Sequence, residues 1–336
     1  MYKVKYLTIS GNKEEDLNFS NILQNEAVVD TRLLPNFLKV IVATYSFNGY
    51  YLTCWKDGQL AGIASFYVKR GLCNRNFLES APGGFWAKDI NAELSLLEEL
   101  NKIAEVYKLE GPCFKDLVKP LFSLPNTAII HEAVINLPRN QTQLMNSYSS
   151  NLRRKIRKGR SSSLQVIESN DLKGFYNIWA HNMRDLGTPP IPFLFFQNIK
   201  KFFGDSAVLL LVVRGEEKLG GALLLIYEKT VLNSYISCLR HACRFYPNNL
   251  LYHEMLLWAI NHNFTNFNLG RSQPASGNEK FKLQYGAELK PLYNYNIKTN
   301  YVNSLLGRIF KFHWKKLPLR TAICVGSKIR RYVPFG

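Results

Sequence analysis

The chain is poor in acid, sparing with cysteine and without any long apolar run. Its 336 residues hold 25 Asp and Glu against 43 Lys and Arg, a formal net charge of +18. The deficit is local: no acidic residue follows Glu288, whereas ten Lys and Arg do. Six more cations fill Arg153–Arg160 (RRKIRKGR). Charge gathered in two places points to an anionic partner, whether a membrane face, a nucleic acid or a phosphorylated substrate. The six cysteines (Cys54, Cys73, Cys113, Cys238, Cys243, Cys324) form no C-x-x-C pair and have no clustered His beside them. That argues against a zinc site or a disulfide framework and suits free thiols in a reducing compartment. The longest apolar runs, such as Ala207–Val213, have strand length, far below the ~20 residues that span a bilayer. The opening MYKVKYLTIS lacks the apolar core of a secretion signal. The expected location is cytoplasmic.

What is present suits folded domains. Hydrophobic content of 46% and aromatic content of 13% fill cores, and this length predicts roughly two domains. The chain also repeats itself. Tyr51–Ser80 and Leu210–Leu239, offset by 159, place Leu60-Ala61-Gly62 on Leu219-Gly220-Gly221. Each copy spells strand, polar turn, strand, charged turn, strand, which predicts two similar α/β domains. Helices are expected after each meander. Ala92–Tyr107 has a stripe of Leu96, Leu97, Leu100, Ile103 and Ala104, and Asn249–Asn261 is apolar nearly all round. The linker is placed near Leu137–Arg139, followed by helices over Gln143–Arg157, Leu172–Asp185 and Pro192–Phe203, the last two separated by the stiff turn LGTPPIP (Leu186–Pro192).

The most informative stretch is FNLGRSQPASGNEKFKLQYGAELKPLYNY, residues 267–295. A short strand ends at Gly270-Arg271. A loop with Pro274 and Gly277 leads to a compact Glu279–Tyr285 segment, and a further strand covers Leu289–Ile297. Gly lets the backbone pass close to a ligand, and Arg271 and Lys282 set two cations where strands end. A site handling an acyl group beside a phosphate or carboxylate needs this; a strand–loop–strand with solvated charges reads the same way.

This block, together with NLRRKIRKGR (Asn151–Arg160), RDLGTPPIP (Arg184–Pro192) and Leu219–Ala222, resembles the FemAB-like branch of the GNAT acyltransferase superfamily. The match spans about residues 145–300, and the first half matches more loosely through Leu34-Pro35, Asp57–Gly62 and Glu79–Gly84. The resemblance implies an α/β (α+β) fold of two tandem GNAT-like domains, each a mixed, mostly antiparallel sheet flanked by helices. The expected divisions are residues 1–140, residues 141–300 with the active site, and a basic tail over 301–336. It also implies transfer of an acyl or aminoacyl group to an amine, from a thioester or an aminoacyl-tRNA, in cell-envelope or polysaccharide pathways. Lys282 matches the family's lysine in the Phe-Lys pair, whose implied role is electrostatic support near the reacting centre.

Around Lys282 the substrate-binding candidates are Gly270, Arg271, Phe281 and Tyr285, the two aromatics mainly as packing that positions the lysine. Arg271 is a phosphate or carboxylate fork, or a salt bridge holding the loop. Asp185 is a candidate proton acceptor with Arg184 beside it, although the two also suit a structural pair. His181 and Glu254 are weaker bases. Where CoA-binding relatives carry a Gly-rich phosphate cradle, the chain reads Arg240-His241-Ala242-Cys243-Arg244-Phe245, so Arg240 and Arg244 would hold donor phosphates by side chain. The helical hairpin of tRNA-dependent relatives has no room between Leu172 and Phe203. An acyl-CoA or acyl-carrier thioester is therefore the expected donor, tRNA the less favoured one, and no metal is expected. In the tail, Leu305, Leu306, Ile309 and Phe312 share a helical face opposite Arg308, Lys311 and Lys315, with Trp314 at its edge. That pattern reads as an anchor on an anionic membrane surface, peripheral on the inner face, or as a helix packed on the second domain. A non-catalytic scaffold of envelope assembly is the alternative of a different class.

Overall fold

The computed structural model describes residues 2–8, 35–71, 75–124, 128–295 and 305–332. They fall into two compact units: Met1–Ile130 with Pro291–Tyr301 and Ile329–Gly336, and His131–Lys290 with Val302–Lys328. Leu34, Cys73 and Ile297, named above, lie outside the described residues.

In the first unit, β1 (Tyr2–Thr8), β2 (Asn48–Lys56), β3 (Gln59–Arg70) and β4 (Asn76–Ala87) pair antiparallel in that order. β5 (Glu110–Leu117) runs parallel to β4. A first helix, α1 (Pro35–Tyr45), precedes the meander. The helix α2 (Ile90–Val106) begins at Asp89, whose carboxylate accepts from the Ala92 N–H, and it buries Leu96, Leu97, Leu100, Ile103 and Ala104 against Leu52, Ala64 and Phe114. The 3.6-residue stripe in the sequence is this buried face.

The second unit repeats the plan. β6 (Ala128–Asn136), β11 (Asn266–Ser272), β10 (Thr230–Cys238), β9 (Glu217–Tyr227), β8 (Ala207–Arg214) and β7 (Gln165–Glu168) are neighbours in that order. All six residues from Ala207 to Val212 are buried, because helices cover both faces and a doubly covered strand reads as a continuous apolar run. Leu210 and Val212 face a core that includes Leu250, Met255 and Leu256 of helix α7 (Pro247–Asn261). On the other face, a Cβ at Gly221 would lie 2.9 Å from Phe175. At the aligned Gly62 it would lie 2.9 Å from Leu96. The glycines that mark the repeat are therefore points where a helix side chain seats on the sheet.

The single helix expected over Gln143–Arg157 is two, α3 (Gln141–Ser147) and α4 (Ser150–Ser161). Tyr148 is extended, and the Ser149 hydroxyl accepts from the Leu152 N–H at 3.2 Å, so a fresh N-cap restarts the helix. α5 (Leu172–Leu186) and α6 (Phe193–Phe203) flank the LGTPPIP turn, and α5 ends on Gly187 in the left-handed region.

Two terminal helices follow, α9 (Leu305–Trp314) and α10 (Leu319–Ile329), with Pro318 between them. They pack on the Pro-rich turn. Lys311 lies against Gly187, and a Cβ on Gly326 would lie 2.5 Å from Cδ of Pro190. Trp314 is 3% exposed and stacks on Phe310. This corrects the expectation that Trp314 sits at a lipid-facing edge: the ring fills a protein contact, and the solvent-facing aromatics are Phe310 and Phe312. Of the amphipathic face read in the sequence, the side chains of Leu305, Leu306, Arg308 and Ile309 lie outside the described residues. Gly326→Ala is expected to cost about 1–3 kcal/mol, since the proline ring cannot yield. Urea unfolding and faster tryptic release of the last two helices would read it out.

Candidate active site

β10 and β11 run parallel, and they pair only from Thr230–Leu232 to Asn266–Asn268. Beyond that level β10 bulges between Asn233 and Tyr235, and β11 is irregular between Asn268 and Arg271. A disrupted ladder on both strands at one height parts them. Asn268 shapes the β11 side: its Oδ1 accepts from the Gly270 N–H at 2.8 Å, and its Nδ2 donates to Glu132 at 2.8 Å. Gly270 then adopts φ +81°, where a Cβ would lie 3.0 Å from the Asn233 carbonyl oxygen. Only glycine lets the strand pass here without strain.

The short helix α8 (Gly277–Leu283) closes this end. Ser276 caps it, its hydroxyl accepting from the Glu279 N–H at 3.2 Å. Lys282 is buried, and its Nζ donates to the carbonyls of Gly270 at 2.9 Å and Arg271 at 2.8 Å. Burial, aided by the Arg271 charge, lowers its pKa to about 8. An ammonium has three N–H donors, and two are spent on carbonyls, which leaves one for a ligand. Asn233 adds a further donor. It is 5% exposed, and neither polar atom of its amide makes a well-formed hydrogen bond among the described residues. Its polar neighbour is the Tyr252 hydroxyl, whose pKa burial raises and Asn233 partly offsets. A buried amide left without good partners costs about 1–3 kcal/mol, so it marks a place where a ligand atom would be welcome.

Behind Lys282 stands an aromatic brace. Phe281 packs on Tyr252 at 5.0 Å and Tyr285 at 5.5 Å. The Tyr285 hydroxyl donates to the Asn249 carbonyl at 3.2 Å. Arg271 is exposed and stands opposite Glu132 in the β11–β6 register. Gly270, Arg271, Phe281, Lys282 and Tyr285 thus converge.

The other sequence candidates lie elsewhere in the unit. Asp185 accepts from Arg184 at 2.8 and 3.0 Å and is 3.3 Å from Nδ1 of His181, while Arg184 also reaches Nε2 of His181 at 3.2 Å. The three form a closed cluster on α5, in which Asp185 and His181 are occupied. Asn182 of the same helix donates to Ser237 of β10 at 3.1 Å, tying α5 to the strand that carries Asn233. Glu254, expected among apolar neighbours, instead pairs with Arg160 at 2.8 Å. The adjacent His253 is the buried group, its pKa lowered to about 4 chiefly by burial, so it is neutral at physiological pH. Arg240 and Arg244 are exposed on a 3₁₀ turn over Arg240–Phe245. Arg244 and Arg214 both lie over the Phe245 ring, at 4.7 and 4.5 Å. α7 starts directly after this turn, with Pro247 in its first turn and no side-chain cap. Any phosphate there would meet guanidinium groups and not a glycine cradle. Asn233, Asn268 and Glu132 escaped the sequence reading, since nothing local distinguishes them from strand polar residues. Among the described residues, no group of three or more His, Cys, Asp and Glu is placed to hold a metal.

Residues 146–283 match the family described as acetyltransferase (GNAT) domain. Solved structures share the fold across both units. FemX superposes with a TM-score of 0.64 at 16% identity, covering 89% of this chain and 98% of its own. A tandem GNAT protein from the clavulanic acid biosynthesis pathway gives 0.57 at 10% identity, covering 87% and 97%. The C-terminal domain of a putative lysylphosphatidylglycerol synthetase from Agrobacterium fabrum gives 0.54 at 12%, covering 84% and 92%. At such identities the likeness speaks for fold. No curated protein sequence matches the chain. Residues 146–283 are therefore similar to a GNAT acetyltransferase domain, and the chain as a whole shares the fold of these tandem GNAT-like structures.

Proposed function

We propose that the protein is an N-acyltransferase that moves an acyl group from a thioester donor to an amine of a cell-envelope or polysaccharide-related acceptor. The observation that carries this is Lys282, a buried cation fixed across the Gly270 and Arg271 carbonyls where β10 and β11 part. As the amine nitrogen bonds to the acyl carbon, negative charge grows on the carbonyl oxygen. A desolvated ammonium and the Asn233 amide, both in place beforehand, stabilise that charge more than the neutral ground state. Collapse breaks the C–S bond and releases the thiol. In this reading Arg240 and Arg244, exposed on the turn before α7, would hold phosphates of a CoA-type donor.

An aminoacyl-tRNA donor is the second reading. One observation favours it: α4, with exposed Arg154, Arg157 and Lys158, ends beside the arginine-bearing turn, where a Cβ on Gly159 would lie 3.5 Å from the Phe245 carbonyl oxygen. A phosphodiester backbone suits such a surface. The names FemX and lysylphosphatidylglycerol synthetase also point to envelope chemistry. Radiolabelled acetyl-CoA and charged tRNA, each offered with a panel of envelope amines, decide between them. Label passing from the thioester supports the first reading, label passing only from tRNA the second, and none from either sinks both.

For partners, an anionic membrane surface remains the proposal, with a peripheral cytoplasmic location. Phe310 and Phe312 stand exposed beside Lys315, Lys316 and Arg320, and among the described residues no helix is long and apolar enough to cross a membrane. Flotation with phosphatidylglycerol-containing vesicles, lost on removing residues 305–332, is the expected result.

A further inference from the structure

Acyl transfer to an amine needs a proton acceptor, and none of the residues above is free to be one. Asp185 and His181 are tied into the Arg184 cluster, Glu254 is paired with Arg160, and His253 is sealed in the core. His241 pairs with Glu217 at the surface, His262 stacks on Trp258, and His313 packs against Phe312 in the terminal helix α9. One histidine differs. His131, on β6, has Nδ1 at 2.6 Å from the Glu279 carboxylate. We infer that His131 is a catalytic residue that takes the proton from the attacking amine, held for that task by Glu279.

Three features carry this. The first is the dyad itself. Glu279 is 8% exposed, whereas the His131 side chain is 28% exposed. The other Glu279 oxygen accepts from the Ala275 N–H at 2.9 Å. The bond to His131, then that from Ala275, keeps the Glu279 pKa below its ordinary value. An ionised carboxylate only accepts, so Nδ1 bears the hydrogen, and the neutral form of the ring then has its lone pair on Nε2.

The second is position. Glu279 and Lys282 are three apart on α8, which puts both on one side of that helix. In the β6–β11 register His131 lies opposite Ser272, one residue from Arg271, whose carbonyl holds Lys282. The cation for the oxyanion and the carboxylate that holds the base are thus carried by one short helix.

The third is selectivity of role. With Ser276 as the cap, one Glu279 oxygen serves the start of α8 through the Ala275 N–H, whereas the bond of the other oxygen to His131 on β6 is not needed for capping.

In the proposed step the amine N–H proton passes to Nε2 as the C–N bond forms. When the C–S bond breaks, the departing thiolate recovers that proton. The charged groups around His131 are Glu279 on α8, Arg271 on β11, Glu132 beside it on β6, and Lys282.

This rests on the acyl-transfer proposal, so the test has two arms on the full chain. His131→Asn keeps an amide N–H where Nδ1 was and so preserves the Glu279 contact, while removing the base. With acetyl-CoA or charged tRNA, whichever the wild type uses, it should lower kcat by about 100-fold with little change in KM. It should also erase the acidic limb of the kcat/KM–pH profile. Glu279→Gln should lower kcat by about 10-fold. In the second arm, ¹⁵N-histidine NMR of the substrate-free protein should show His131 protonated at Nδ1 when neutral. Full kcat and an unchanged pH profile in His131→Asn overturn the base role while leaving acyl transfer standing. A hydrogen on Nε2 in the neutral ring also overturns it. A wild type inert with both donors sinks the transfer proposal, and the base role with it.

Discussion

Lys282→Ala is expected to reduce acyl transfer by about 100-fold or more, the scale seen when one preorganised oxyanion donor is removed. The loss should fall on kcat and leave donor binding nearly intact, because the third ammonium N–H acts on charge that exists only in the transition state. Lys282→Arg should not rescue it. A guanidinium cannot fit a pocket where the Lys282 Nζ sits 3.9 Å from the Gly270 Cβ position and donates to two carbonyls at 2.8 and 2.9 Å.

The same residue leaves a signature in stability. Its pKa in the folded protein is about 8, against 10.5 for a free lysine. Below pH 8 the ammonium is charged in both states, and the folded state carries the full desolvation cost. Between pH 8 and 10.5 the unfolded chain binds the extra proton, so stability rises with pH across that window. The expected gain of wild type over Lys282→Met is about 3 kcal/mol from one end to the other. Parallel urea melts at pH 7.5 and 10.5 would show it. Parallel pH dependence in the two proteins would mean that Lys282 is solvated.

The largest stability effect is expected in the first unit, from Glu79→Gln. Lys115 at 2.7 Å, Lys69 at 3.4 Å and the Tyr67 hydroxyl at 3.0 Å all meet this one buried carboxylate. Burial pushes the Glu79 pKa up, but the ammonium groups of Lys115 and Lys69 and the hydrogen bonds outweigh it, bringing it down to about 2. Removing the charge strands two buried cations and should cost about 3–5 kcal/mol. Replacing Lys69 and Lys115 with methionine in the same background should recover most of the loss, because the penalty lies in the unpaired charges. With Glu79 ionised, its share of the stability is fully present above pH 4.5 and is lost as pH falls from there toward 2. An acid-unfolding midpoint identical in Glu79→Gln and wild type would contradict this.

Much of the fold was legible in the residues themselves. The 159-residue repeat, the apolar stripe of Leu96, Leu100 and Ile103, and the doubly apolar strand at Ala207–Val212 are periodic signals, and period follows from backbone geometry alone. The break at Tyr148-Ser149 was missed because a serine N-cap inside an amphipathic run looks like ordinary helix surface. Of the site, Gly270 and Lys282 stood out through one compact block. Asn233 and His131 did not, since they lie 37 residues before Gly270 and 151 before Lys282, and no local pattern links positions that far apart. Trp314 shows the converse failure. Amphipathic spacing says that a face is buried, but not whether lipid or protein buries it.

By itself, then, the chain determined which segments are strands or helices, where its cations concentrate, and that a glycine–arginine strand end is followed by a Phe-Lys helix. Only the tertiary structure decided what those features face. It parted β10 from β11, set Lys282 across two carbonyls, buried the Asn233 amide near the Tyr252 hydroxyl, and brought His131 to Glu279. Elements follow from the periodicity of neighbours in sequence, whereas a site is made by side chains on separate elements whose meeting depends on register and packing.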